Sequence, residues 1–270
     1  MSALRVAAVQ HDIAWEDRDT TLAALAPQVS AAASAGAGLV VLTEMFATGF
    51  SMATHRTAEP LAGATVDWMR EQAASHGVHL AGSLALRGPG GRLPTNTLLV
   101  VGPDGGVQRY DKRYPFSYAG EHERFASGDE PVVAEVAGVR LGLSVCYDLR
   151  FAPGYWQQAA AVDAYLVVAN WPATRREHWR CLLRARAIEN QAYVVGVNRV
   201  GEGGGLAYAG DSAVIDPLGQ TLVGAAEAPT LLLADLDPAV VTEVRARLPF
   251  LADRRGDGQS PEGSSTASSS

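Results

Sequence analysis

Short apolar runs alternate with amphipathic stretches along this chain. Leu4 to Gln10 alternates weakly and predicts a strand. Asp17 or Asp19 can cap a helix with Leu22, Leu25 and Val29 on its apolar face, ending near Gly36 and Gly38. Leu39 to Leu42, four apolar residues ending on Thr43 and Glu44, suits a strand covered on both faces. The grammar then repeats. Thr65 to His76 has Val66, Met69 and Ala73 at helical spacing, and Val78 to Leu84 follows as strand. Asn96 to Val101 and Val107 to Lys112 flank the turn Pro103-Asp104-Gly105-Gly106, and Val132 to Val136 pairs with Arg140 to Val145 across Ala137-Gly138. Ala164 to Ala169 is another strand run. Thr174 and Glu177 have capping-box spacing before a helix carrying Trp179, Leu182, Leu183, Ala187 and Ile188, on whose apolar half Cys181 is expected to be core. Ala192 to Asn198 reads as strand, Gly201 to Gly205 as a flexible loop, Ala213 to Ile215, Leu222 and Leu231 to Leu233 as strands, and Asp237-Pro238 as a helix start.

Helices and strands therefore alternate with hairpins among them, which predicts an α/β chain with a mixed sheet layered by helices. No Ser/Gly/Pro-rich linker interrupts the body, so one domain over residues 1–252 is expected, with a disordered Gly/Ser-rich tail over 253–270. The net charge of −7 lacks the basic footprint of a nucleic-acid binder. No window approaches a membrane span, and the opening MSALRVAAVQHD lacks a charged n-region and a long apolar segment, so no secretory leader is expected. With only Cys146 and Cys181, a disulfide framework is not indicated, and reduced thiols of a cytoplasmic protein are expected.

The chemistry concentrates where apolar runs stop. Cys146 ends the run Leu141 to Val145 and is followed at once by Tyr147, Asp148 and Arg150; Glu44 ends another run, and Lys112 closes a hairpin. A thiol needs a base or a nearby cation to become a nucleophile, and a carboxylate with an ammonium supplies both. Spacing alone leaves the bland reading open: Glu44 a solvated strand-end carboxylate, Lys112 an exposed lysine, Cys146 an inert core thiol. The six histidines show no metal spacing, so no metal is expected.

The contexts LVVLTEMFATGFSM around Glu44, YDKRYPF around Lys112 and GLSVCYDLRF around Cys146 resemble the Glu-Lys-Cys triad motifs of the carbon–nitrogen hydrolase (nitrilase-like) family, over nearly the whole chain except the tail. EMFATGFSM, GEHERFASGD, NWPATRREHW and RARAIENQAYVVGVNRVG are most similar to the ω-amidase branch, which hydrolyses the terminal amide of 2-oxo dicarboxylic monoamides such as 2-oxoglutaramate and 2-oxosuccinamate. The resemblance implies a four-layer α-β-β-α sandwich with two mixed sheets, a homodimer, no cofactor, and a small-molecule amide substrate. It also implies Glu121 as a second glutamate, matched with Gly128, and the Tyr147 backbone N–H as an oxyanion donor. One departure stands out: Ala152 intervenes between CYDLRF and Pro153, which bears on the wall after the nucleophile.

For a substrate carboxylate, Arg175 and Arg176 at the helix start are candidates, with Arg150 and Arg199 as alternatives and Phe50, Tyr118 and Trp171 as walls. Other outcomes are a nitrilase, an N-carbamoyl hydrolase or an aliphatic amidase with the same triad. A thiol redox sensor or binding protein is the outcome without catalysis.

Overall fold

The computed structural model describes residues 3–255. Two mixed sheets face each other, with helices on both outer surfaces. The first has the order β13-β1-β2-β3-β4-β5, built from β1 (Leu4–Gln10), β2 (Leu39–Val41), β3 (His79–Leu86), β4 (Thr95–Val101), β5 (Val107–Asp111) and β13 (Thr230–Leu236). The second has the order β10-β11-β9-β8-β7-β6: β6 (Val133–Val136), β7 (Val139–Val145), β8 (Ala164–Ala169), β9 (Tyr193–Asn198), β10 (Val200–Gly203) and β11 (Leu206–Ile215), with β12 (Thr221–Ala226) paired to β11. The four-layer α-β-β-α sandwich implied by the resemblance is the fold observed. No helix among the described residues is long and apolar enough to cross a membrane.

Alternation within β1 explains the layering. Val6 and Ala8 join the core between the sheets, while Ala7 and Val9 join the layer beneath α1 (Arg18–Ser34) and the helix Ala64–His76. The central strands β1-β2-β3 and β7-β8-β9 are parallel and buried on both faces, which is why they read as continuous apolar runs. Asp17 caps α1 by accepting from Thr20 N at 3.1 Å. After the short α2 (Thr54–Thr57) comes α3 (Ala64–His76), which buries Val66, Met69 and Ala73 and ends on Gly77 in the left-handed conformation. On the second sheet's outer face, α4 (Ala152–Gln158) and α5 (Arg176–Asn190) cover Tyr165, Val167 and Val194; α6 (Pro238–Arg247) closes the described helices.

Several local expectations change. No side chain caps α5: Arg175 is its N-cap, and a 3₁₀ turn over Ala173–Arg175 replaces the box expected from Thr174 and Glu177. Cys181 is exposed, because the buried stripe of α5 runs through Trp179, Leu183, Arg186, Ala187 and Asn190, and position 181 points elsewhere. The Gly201 to Gly205 segment is a hairpin, with β10 and β11 joined by Gly204-Gly205 at φ 59° and 78°. Positive φ at both central residues is what a tight hairpin of matching twist requires. Arg254, within the span expected as tail, reaches back to Asn190 Oδ1 at 2.8 Å and stacks over Trp156; residues 256–270 of that span lie outside the described residues.

Candidate active site

Strand ends from both sheets converge on one buried cluster. Glu44 follows β2, Lys112 follows β5, Cys146 follows β7 and Asn170 follows β8. Lys112 Nζ donates to Glu44 Oε1 at 2.9 Å and to both oxygens of Glu121, at 2.8 and 3.1 Å. These three side chains are 0–1% exposed, so the ammonium is shared between two carboxylates with no competing solvent. Burial alone would lower the Lys112 pKa, but Glu121 and Glu44 outweigh it and hold the group well above its ordinary value.

Polar neighbours fix the carboxylates. Asn96 Nδ2 donates to Glu44 Oε1 at 2.8 Å and to Glu121 Oε1 at 3.1 Å, while Ser83 Oγ donates to Asn96 Oδ1 at 2.8 Å. Asn170 N donates to Glu44 Oε2 at 2.8 Å, tying the second sheet to the first. Asn96, Ser83 and Asn170 were not among the candidate site residues. Their signal was modest: Ser83 and Asn96 are a hydroxyl and an amide inside otherwise apolar strands, and Asn170 is the polar residue on which the run Ala164 to Ala169 stops.

Cys146 is held in a left-handed backbone conformation at φ 48°, costly for a residue with a side chain. Asp148 stabilises the turn behind it. Its carboxylate accepts from Val145 N and the Tyr110 hydroxyl, both at 2.8 Å, and from Tyr114 N at 3.0 Å, linking the strand that leads into Cys146 to the chain on either side of Lys112. Burial raises the Asp148 carboxyl to about 6, with Lys112 opposing. Arg186, buried on α5, donates twice to Leu149 O, at 3.1 and 2.7 Å. Burial and the Glu44 charge push the Cys146 thiol well above its usual range despite Lys112. That shift favours the thiol form, from which a nearby base would have to take the proton before the sulfur could act as a nucleophile.

Cys146 opens into a cavity of about 270 Å³. Phe50, Tyr147, Trp171, Arg150 and Arg175 line it. Arg150 stacks over Trp171 at 4.8 Å and Arg175 over Phe116 at 5.5 Å, and neither has a carboxylate partner among the described residues. The remaining candidates lie elsewhere. Arg176 is held by Asp211 and Glu227, outside the lining. Arg199 is fully buried against Asp12 and backbone carbonyls. Tyr118 is 88% exposed and leaves its expected place to Phe116 and Ala119. Ala152 and Pro153 begin α4 and take no part in the lining, so the departure after Phe151 does not reach the cavity wall.

The carbon-nitrogen hydrolase family model matches residues 5–246. The chain belongs to the carbon–nitrogen hydrolase family. It is 41% identical to the Escherichia coli K12 protein Omega-amidase YafV, over 94% of this chain and 97% of that one. It is 32% identical to the Bacillus subtilis 2-oxoglutaramate amidase, over 82% and 86% of the two chains. A Xanthomonas campestris CN-hydrolase superfamily protein, solved with an arsenic adduct in its active site, superposes with a TM-score of 0.90 at 40% identity, covering 95% of this chain and 98% of that one. Within this family, the converging strand ends and the cavity beside them form the candidate active site.

Proposed function

We propose that this carbon–nitrogen hydrolase is an ω-amidase that releases ammonia from the terminal amide of 2-oxo dicarboxylic monoamides, 2-oxoglutaramate and 2-oxosuccinamate among them. The observation that carries the reading is the joining of the Glu44–Lys112–Glu121 cluster and Cys146 to a small cavity bearing two arginines without carboxylate partners among the described residues. The first part supplies amide chemistry; the second suits a substrate with a carboxylate. The names of the E. coli and B. subtilis relatives agree with it.

Glu44 takes the Cys146 proton as sulfur attacks the amide carbonyl carbon. The oxyanion that forms is held by Lys112 Nζ and the Tyr147 backbone N–H, charges and dipoles already in place before reaction. Collapse breaks the C–N bond; Glu44 returns its proton to the leaving nitrogen, ammonia departs and a thioester remains. Glu44 then removes a proton from water as it attacks the thioester, and the acid leaves with the thiol restored. Glu121 keeps Lys112 aimed, and no cofactor enters a step. Arg175 and Arg150 hold the substrate carboxylate, with Phe50 and Trp171 as apolar walls.

The cavity at Cys146, walled by Phe50 and Trp171 and carrying Arg150 and Arg175, favours this reading over a redox sensor, because an oxidisable thiol needs no substrate-sized site. The same reading places the enzyme in the cytoplasm as a homodimer. Trp156 on α4 and Ile188 on α5, exposed outside the sandwich, suit such a contact. The test is ammonia release from a panel of 2-oxo monoamides, simple aliphatic amides, nitriles and N-carbamoyl amino acids. The 2-oxo monoamides are expected to show the highest kcat/KM, and preference for any other class would overturn the assignment.

A further inference from the structure

A second wall of the cavity is built from residues that the catalytic reading does not use. Trp15, in the loop between β1 and α1, lines the cavity beside Gly203 and Gly204 of the β10–β11 hairpin. Its six-membered ring sits in a slot that exists because three residues lack side chains. A Cβ on Gly49 would lie 2.9 Å from the indole, one on Gly203 2.8 Å and one on Gly204 2.7 Å, all inside van der Waals contact. The three glycines come from two separate loops, so the slot depends on how those loops meet.

The Trp15 loop is pinned on both sides. Glu16 N donates to Thr48 O at 2.9 Å, and the Glu16 carboxylate accepts from Ser51 Oγ at 2.5 Å and from Arg56. On the other side, Asp12 accepts from Arg199 Nη2 at 2.7 Å. Arg199 shares the glycines with Trp15: its Nη1 lies 2.6 Å from the Cβ position of Gly203 and 3.5 Å from that of Gly49. That Nη1 is buried and has no hydrogen-bond partner among the described residues. An indole thus faces the cavity while an unsatisfied guanidinium nitrogen shares its glycine slot.

We propose that Trp15 is the specificity-determining wall of this enzyme: it limits the length of the acyl chain and keeps Arg199 out of reach of the substrate. The inference rests on the amide-hydrolase reading above for its choice of substrates. In the wild-type enzyme the carboxylate meets Arg175 and Arg150, and a substrate longer by one methylene collides with the indole. Removing the indole admits the longer chain and brings its carboxylate toward the Arg199 nitrogen that lacks a partner. An extra methylene at an apolar wall changes kcat/KM by roughly 10- to 200-fold, which sets the scale of the effect.

The test compares kcat/KM for the five-carbon and six-carbon 2-oxo dicarboxylic monoamides in the wild type, Trp15→Phe and Trp15→Ala. The six-to-five-carbon ratio is expected to rise about tenfold or more in Trp15→Ala and by a smaller factor in Trp15→Phe, mainly through a lower KM for the longer amide. A ratio within twofold of wild type in both variants would overturn the proposal. If Trp15→Ala does not fold, Trp15→Phe decides by the same criterion.

A second readout is independent of the natural substrate. Alkylation of Cys146 by chloroacetamide and by N-benzylchloroacetamide, in which the thiolate displaces chloride, is followed by peptide mass so that exposed Cys181 is counted separately. Trp15→Ala is expected to raise the benzyl-to-parent rate ratio about tenfold. If the wild type hydrolyses no 2-oxo monoamide yet this ratio rises, the substrate reading fails and the wall stands; an unchanged ratio removes the wall.

Discussion

Lys112 and Arg176 are each held by two carboxylates. Around Lys112 the partners are Glu44 and Glu121, and all three side chains are 0–1% exposed. Around Arg176 the partners are Asp211 and Glu227, and the arginine is 29% exposed. The guanidinium forks onto both Asp211 oxygens at 2.9 Å, and Arg180 donates to the same carboxylate, so that cluster satisfies itself. It braces the start of α5. The Lys112 cluster instead places two acceptors around one ammonium beside the Cys146 side chain, and opens through Cys146 into a cavity. Ion pairing is thus common to a brace and to a candidate site. What separates them is burial and the reactive group left facing space.

Breaking each cluster in turn should expose that contrast. Lys112→Met removes the proposed oxyanion donor and leaves two carboxylates buried together; kcat is expected to fall by about 10³-fold or more, and stability by about 3–5 kcal/mol, read from steady-state kinetics and urea unfolding. A kcat within tenfold of wild type would remove Lys112 from the chemistry.

A smaller effect comes from His11, which is buried behind the Glu44 loop with its Nε2 on Thr43 Oγ1 at 3.0 Å. Burial holds its pKa down at about 4, against 6.5 for an ordinary imidazole. The unfolded chain therefore takes up the proton first as pH falls. The stabilising contribution of neutral His11 is complete above pH 6.5 and declines toward pH 4, by about 3 kcal/mol. Asp148 acts with the opposite sign over part of this window, because its folded carboxyl is raised to about 6. The wild-type curve is thus a sum, and the clean comparison is with His11→Asn. The stability advantage of wild type over that variant should shrink by about 3 kcal/mol between pH 6.5 and pH 4; a pH-independent difference would contradict the assignment.

Adjacent arginines give the sharpest small-scale contrast. Arg175→Glu should raise KM for 2-oxoglutaramate about 10- to 100-fold, the scale of a lost charge-assisted hydrogen bond. Arg176→Ala should leave kcat and KM within about twofold and cost about 1–3 kcal/mol, since Asp211 is buried and loses a bidentate partner while keeping Arg180. Equal kinetic effects at the two positions would collapse the distinction between site and brace.

Sequence periodicity made much of this legible. The runs Leu39 to Leu42, Leu141 to Val145 and Ala164 to Ala169 are buried strands, and each ends on a residue of the cluster or beside it. Strands covered on both faces leave that mark in any chain. The resemblance placed Glu44, Lys112, Cys146 and Glu121, which the fold brings together. Tertiary partners were not legible. Arg176 resembles Arg175 in sequence, and the positions of Asp211 on β11 and Glu227 just after β12 separate their fates. Asn96 sits in an ordinary strand and becomes the bridge between two carboxylates. Gly201 to Gly205 has a loop's composition, yet positive φ at Gly204 and Gly205 makes it the tip of a hairpin. Trp15 gave no periodic signal because its slot is made by glycines distant in the chain.

The central claim is that Cys146, deprotonated by Glu44 and opposed to Lys112, cleaves a terminal amide through a thioester. Rapid-quench mass spectrometry with 2-oxoglutaramate reads this directly. The peptide carrying Cys146 should gain the mass of the amide less ammonia, as ammonia appears in solution, and Cys146→Ala should show neither the adduct nor turnover. Ammonia release by Cys146→Ala, or full turnover with no adduct on Cys146 at any quench time, would contradict it.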